Sequence, residues 1–129
     1  FAGTGIVAGV ALANKAEKVV CVDRTTANEL ISTFKSWEKV VKVVQDDVFA
    51  FKVEERFDLI VADPDFEDAL RVAREVVPRI RNMCKVFVLC HGSVEDERWN
   101  KEIRAILQTS SNKTEQIECA GQAFTICFF

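Results

Sequence analysis

Along this chain, short unbroken apolar runs alternate with segments whose apolar residues recur at helical spacing. Residues 18–22 (Lys-Val-Val-Cys-Val), 40–44, 57–62 and 85–90 have the length and β-branched content of buried strands. The segments between them predict helices. Residues 6–15, rich in Ala and Val, predict a tightly packed helix directly after a glycine turn. Thr25 or Thr26 is placed to cap a second helix, with Glu29 at the favoured acidic position, running to about residue 37. A third helix starts at about residue 67 and is interrupted or ended by Pro78. In 95–109, Trp99, Ile103, Ile106 and Leu107 recur at helical spacing, and Trp37 and Trp99 are expected to pack. Residues 115–120 and 122–129 predict two final strands joined at Gly121, an antiparallel hairpin.

Strands alternating with helices predict one α/β domain over residues 1–129, built on a parallel sheet covered on both faces. Right-handed crossovers bring the loops after the strands to one edge, where ligands of such sheets bind. The polar punctuation falls on that edge: Asp23, Asp46, Asp47, Asp63 and His91 each close a strand.

The glycine turn gives this edge its first chemistry. Phe1-Ala2-Gly3-Thr4-Gly5 runs into an apolar helix, so a nucleotide-like ligand can approach backbone N–H groups at the helix start. Gly3-x-Gly5-x-x-Ala8 matches the relaxed dinucleotide fingerprint, which nicotinamide, flavin and S-adenosylmethionine enzymes share. Asp23 closes the following strand, where a carboxylate can accept from both ribose hydroxyls; the alternative is a turn-initiating aspartate. One of Asp46 and Asp47 is expected to be a solvated loop acid. Asp47 is the candidate acceptor for an adenine amino group, with Val48 against the base. Such a loop ordinarily follows a buried strand, and none stands before Phe1, which predicts a domain lacking its first strand.

Composition adds limits. Hydrophobic residues at 49% and charged residues at 29% fit a soluble globular chain, and no apolar run is long enough to span a membrane. A formal net charge of −3 gives no global pull toward nucleic acid, so RNA affinity would need a local patch. Arg71, Arg74, Arg79, Arg81 and Lys85, interrupted only by Glu75 among charged residues, form either that patch or a solvated helix face. The five cysteines contain no CxxC pair and His91 is the sole histidine, which argues against zinc. Cys21, Cys90, Cys119 and Cys127 lie in strand-like runs as small hydrophobes, and the chain's odd total of five predicts reduced thiols and a cytoplasmic protein.

The most specific element is the end of the 57–62 strand, Asp63-Pro64-Asp65-Phe66. It resembles the Asp/Asn-Pro-Pro-Tyr/Phe motif of class I methyltransferases that modify amino groups. A carboxylate and the next carbonyl would accept hydrogen bonds from the target NH2, orienting its lone pair for in-line attack on a sulfonium methyl. An aromatic ring at the fourth position can stack on a base. The resemblance extends over almost the whole chain and is strongest to the bacterial family that methylates the guanine N2 amino group of small-subunit ribosomal RNA. It implies a Rossmann-like class I methyltransferase sheet, mostly parallel with a C-terminal antiparallel hairpin and without its first central strand. It implies S-adenosylmethionine as cofactor: Phe1, Ala2, Gly3, Thr4 and Gly5 around its amino-acid portion, Asp23 and Arg24 at its ribose, Asp47 and Val48 at its adenine. Asp63, Pro64 and Phe66 would hold the target base. Asp65 replaces the family's second proline and puts a charge beside the reaction centre. Because a well-oriented amine needs little general-base help, His91 is expected to be structural.

Three functions follow from these features. The first is an S-adenosylmethionine-dependent N-methyltransferase acting on a nucleobase in RNA. The second is a catalytically inactive methyltransferase-like scaffold within a larger ribonucleoprotein assembly, suggested by Asp65. The third, a nicotinamide oxidoreductase, rests on glycine spacing alone and leaves Asp63-Pro64 without a role.

Overall fold

Turn chemistry and strand propensity divide the chain much as the apolar pattern does. The structure, a computed structural model, describes residues 1–93 and 95–129, with Phe66 through its backbone alone. Two compact units emerge, 1–51 and 52–129.

In the first unit the glycine turn leads into helix α1 (Ile6–Ala13), strand β1 (Val19–Asp23), helix α2 (Ala27–Thr33), a single 3₁₀ turn (Lys35–Trp37) and strand β2 (Val41–Gln45). β1 and β2 pair in parallel from Val19 opposite Val41 to Asp23 opposite Gln45. Ala8, Cys21, Leu30, Phe34 and Val41 form the core, with Ala2, Leu12, Val19 and Val43 packed against it. Three expectations change here. α1 is not tightly packed: only Ala8 is buried, and Ile6 and Val10 are 75% and 58% exposed. α2 ends at Thr33 rather than near residue 37, and Trp37 is half exposed. Neither threonine side chain caps α2; Asp23 instead accepts from the Thr25 and Thr26 amides just before it.

The second unit runs β3 (Phe57–Ala62), α3 (Phe66–Arg71), a π-helical turn (Val72–Val76), α4 (Val77–Ile80), β4 (Cys84–Ser93), α5 (Glu97–Ser110), β5 (Lys113–Cys119) and β6 (Gln122–Phe128). Its strands form one sheet in the order β3-β4-β6-β5. β3 and β4 are parallel, whereas β6 lies antiparallel to both β4 and β5. The β5–β6 hairpin turns through Ala120 (φ 50°) and Gly121 (φ 77°), the double left-handed conformation that matches strand twist in a two-residue loop. The fold is thus α/β, with parallel pairs and a C-terminal antiparallel hairpin.

Pro78 neither ends nor breaks its helix. The helical run continues from Phe66 to Ile80, with the π turn immediately before the proline. There the Val77 N–H reaches back five residues to the Val72 carbonyl. The wider turn relieves the demand for an N–H at Pro78 and the ring's clash with the preceding turn.

α5 also departs from its pattern. Its buried positions are Asn100, Ile103 and Leu107, and Trp99 is 43% exposed. A polar residue, one place after the tryptophan, takes the inward position. It does so because β4 offers it partners: the buried His91 and the Ser93 carbonyl. No helix among the described residues is long and apolar enough to cross a membrane.

Candidate functional site

In the first unit the glycine loop, the end of β1 and the approach to α2 are drawn together by one carboxylate. Gly3 (φ 51°) takes a left-handed conformation that turns its N–H onto Asp23 Oδ2 at 3.0 Å. Asp23 Oδ1 accepts from the Thr25 and Thr26 N–H groups, each at 2.9 Å, and from the Thr25 hydroxyl at 3.2 Å. The Thr26 hydroxyl returns a bond to the Gly3 carbonyl at 2.9 Å, and Ala2 N–H donates to the Val22 carbonyl. Loop, strand end and helix start are therefore one hydrogen-bonded unit.

Burial opposes the charge on Asp23, but the Thr26, Thr25 and Gly3 amides outweigh it and hold the carboxyl well below the usual carboxylate range. The group stays ionised wherever the unit is folded. Its contribution to stability is present above the ordinary pKa of 3.8 and is lost as pH falls below that value. These contacts make Asp23 the turn-initiating aspartate that was the alternative to a ribose acceptor, with the bond to Gly3 added. It builds the loop, and little of its acceptor capacity is left for a ribose.

Around this clamp lie the other residues of the first unit. The Asp46 N–H reaches the Asp23 carbonyl. Asp46 caps the Asp47 N–H, and Asp47 Oδ1 accepts from the Phe49 N–H at 2.9 Å. Asp47 Oδ2 lies 3.8 Å from the exposed Arg24 guanidinium. Val48 follows in the same turn, and the Phe1 ring meets the Phe49 ring edge-on at 5.9 Å. Thr4 is exposed between the glycines.

The turn has one open side. A Cβ placed on Gly3 meets nothing within 4 Å, so a ligand can come up to its backbone. Gly5 (φ 84°) faces inward instead, where a Cβ would stand 2.6 Å from the Phe34 ring. One glycine therefore serves access and the other serves packing. Phe1, Ala2, Gly3 and Thr4, expected from the sequence at the amino-acid end of S-adenosylmethionine, line this turn, and Asp47 and Val48, expected at its adenine, follow β2.

In the second unit, Asp63 follows β3 and is exposed, Pro64 is buried, and Asp65 is exposed at the start of α3. The Phe66 backbone begins that helix; its side chain, expected as the stacking ring, lies outside the described residues. β4 borders this strand end and carries a bulge: Cys90 pairs with Phe124 and Ser93 with Gln122, leaving His91 and Gly92 opposite one residue. Gly92 adopts φ 101° there.

His91 is structural. It is 1% exposed, with Nδ1 2.6 Å from Asn100 Oδ1 and Nε2 2.9 Å from the Thr125 hydroxyl. Asn100 donates its amide to Ser93, so its oxygen faces the ring, Nδ1 carries the proton and Nε2 accepts. Burial lowers the His91 pKa below 6.5, despite the raising effect of its Asn100 bond. The unfolded chain thus binds a proton more readily than the folded one. Stability should fall by up to ~1.4 kcal/mol per pH unit as pH drops from 6.5 toward the folded-state value. Since His91 is the sole histidine, urea midpoints measured from pH 7.5 to 5 should lose this slope in His91→Gln.

The arginines expected as an RNA patch are partly committed. Arg71 bonds Glu75 at 3.0 Å, Arg74 pairs with Glu102 on α5, and Lys85 bonds Asp58. Arg79 sits in α4 and Arg81 just after it. Phosphate contact by Arg71 or Arg74 would exchange an internal carboxylate for the phosphate. Cys21, Cys90 and Cys127 are buried as expected of small hydrophobes, as is Cys84; Cys119, expected to be like them, is exposed because β5 is an outer strand.

No protein-family model and no curated protein matches the sequence. Solved structures do match it. An O-methyltransferase family protein from Burkholderia thailandensis superposes with a TM-score of 0.74 at 13% identity, over 98% of this chain and 48% of its own. A candidate RNA methyltransferase from Pyrococcus horikoshii gives 0.69 at 20% identity, over 98% and 67%. A candidate methylase from Haemophilus influenzae gives 0.69 at 16%, over 98% and 81%. The chain spans about half the length of the first of these. Likeness at such identities is one of fold, and the fold is that of the Rossmann-like class I methyltransferases.

Proposed function

We propose that this chain is the methyl-transferring domain of an S-adenosylmethionine-dependent N-methyltransferase whose acceptor is an exocyclic amino group of a nucleobase in RNA, of the guanine-N2 ribosomal type. The observation that carries the reading is the end of β3, where the exposed Asp63 is followed by the buried Pro64. A buried proline fixes the chain direction beyond Asp63 and leaves the carboxylate facing outward. Its oxygens and the adjacent carbonyl are acceptors for the two hydrogens of an amine. Held there, the nitrogen presents its lone pair along one direction, and that positioning is the main contribution expected from these residues.

When bound, S-adenosylmethionine supplies an electrophilic methyl group. The chain's part is to hold it: Gly3 offers an open backbone, Asp23 keeps the turn in shape, and Asp47 provides an acceptor. A likeness in fold to a candidate RNA methyltransferase supports an RNA acceptor. The Asp63 carboxylate and the following carbonyl offer two acceptors, which match the two hydrogens of an amine better than the single hydrogen of a hydroxyl.

Transfer of label from S-adenosylmethionine to an unmodified small-subunit ribosomal RNA transcript tests the reading. Asp63→Ala is expected to lower kcat by about a hundredfold with little change in the cofactor's dissociation constant. Asp65→Pro is expected to raise transfer by removing a charge beside the amine. Cofactor binding without transfer to RNA would instead favour the inactive scaffold, a reading that Asp65 supports.

A further inference from the structure

Most amides of the glycine loop are bonded within the first unit. The Ala2 N–H donates to the Val22 carbonyl at 3.2 Å, the Gly3 N–H to Asp23 Oδ2 at 3.0 Å and the Gly5 N–H to the Ala2 carbonyl at 2.9 Å. The amide between them belongs to Thr4, an exposed residue, and none of the described residues accepts from it. Its direction is set from a distance. The Gly3–Thr4 peptide is trans and planar, so its N–H points opposite to its C=O. The Gly3 carbonyl accepts from the Thr26 hydroxyl at 2.9 Å, across 23 positions of the chain. The Thr4 N–H is therefore aimed away from the start of α2.

We propose that Thr26 is a positioning residue for cofactor binding: by holding the Gly3 carbonyl, it directs the Thr4 N–H to the carboxylate at the amino-acid end of S-adenosylmethionine. This rests on the methyltransferase reading of the glycine loop. The Asp23 clamp does not do this work, because it holds the Gly3 N–H, which belongs to the preceding peptide. The Gly5-to-Ala2 bond closes a turn whose central peptide is Gly3–Thr4, and a central peptide rotates between turn types when one flank is glycine. The hydroxyl selects one orientation. A threonine directly before a helix ordinarily bonds an amide of the first turn, yet the Thr26 side chain makes no such cap and serves the loop instead. A carboxylate matches the amide because it only accepts, and its charge strengthens the bond. A Cβ on Gly3 would meet nothing within 4 Å, so a ligand can reach this peptide.

The test compares two ligands and two variants by calorimetry. S-adenosylhomocysteine carries the amino-acid end; 5′-methylthioadenosine keeps the nucleoside and the sulfur without it. Thr26→Val preserves shape and the N–H that bonds Asp23, and removes the hydroxyl alone. We expect it to weaken S-adenosylhomocysteine about tenfold, in line with misaligning one bond to a charged group. Binding of 5′-methylthioadenosine should be unchanged, and Thr26→Ser should restore most of the loss. Equal losses for the two ligands, undiminished S-adenosylhomocysteine binding in Thr26→Val, or Thr26→Ser no better than Thr26→Val overturns the inference alone. No binding of either ligand by the wild-type protein overturns the cofactor reading, and this role with it. A second readout needs no variant. In ¹⁵N-labelled wild-type protein, S-adenosylhomocysteine should move the Thr4 amide proton downfield more than those of Ala2, Gly3 and Gly5, and 5′-methylthioadenosine should not. A Thr4 amide left in place by bound S-adenosylhomocysteine also overturns the inference.

Discussion

Gly5→Ala should unfold the first unit at much lower denaturant than the parent protein. The new Cβ would stand 2.6 Å from Phe34 Cε2 and 2.9 Å from Leu30 Cδ2, both in the buried core. Gly5 also has φ 84°, a conformation that costs a non-glycine residue ~1–2 kcal/mol. Overpacking adds ~1–3 kcal/mol, so a loss of ~2–5 kcal/mol is expected. Gly9→Ala supplies the opposite sign. That glycine lies inside α1, its Cβ meets nothing within 4 Å, and the helix should gain up to ~1 kcal/mol. Urea titrations followed by Trp37 emission measure both, because this tryptophan lies in the first unit. Equal midpoints for the two variants would contradict the packing role assigned to Gly5.

Asp23→Ala is the second large effect. It removes the acceptor of three amides, on Gly3, Thr25 and Thr26, in a group only 9% exposed. Hydrogen bonds to a charged acceptor are worth ~1.5–3 kcal/mol each, and water can reach part of the vacated site, so ~3–5 kcal/mol is expected in total. Asp23→Asn should be intermediate, since one oxygen remains but the charge is gone. The distinctive outcome is in binding. If Asp23 acts mainly by shaping the turn, both variants lose S-adenosylhomocysteine affinity in proportion to their loss of stability. A carboxylate engaged chiefly with ribose would cost affinity in Asp23→Asn without costing stability, and calorimetry on the two variants separates these cases.

Much of the fold was legible because β-branched runs and glycine turns act locally. Residues 18–22, 57–62 and the Gly121 hairpin needed only their own composition. What was not legible depended on distant partners. Asp23 announces a turn in sequence, but its bond to Gly3, twenty residues away, requires the left-handed turn to exist first. Pro78 reads as a helix end because nothing local signals that the preceding turn widens. Trp99 wins the apolar pattern of α5, yet Asn100 faces inward because His91 and Ser93 wait there as partners. Within the site, the strand-end acids were visible one by one. The burial of His91 against Asn100 and Thr125 was hidden, since it depends on a bulge whose sequence signal is a single glycine at residue 92.

β5 has a consequence for how the molecule behaves at high concentration. As the outer strand of its sheet, it leaves a row of main-chain donors and acceptors that another chain can extend. Most of its residues are exposed, and Lys113, Glu115 and Glu118 place charge along it, with Lys113 and Glu115 paired to each other. A second copy adding to that edge would have to desolvate these charges, which discourages runaway strand addition. Ile117, 47% exposed near the middle of the strand, is its large apolar interruption and marks where such self-association would begin.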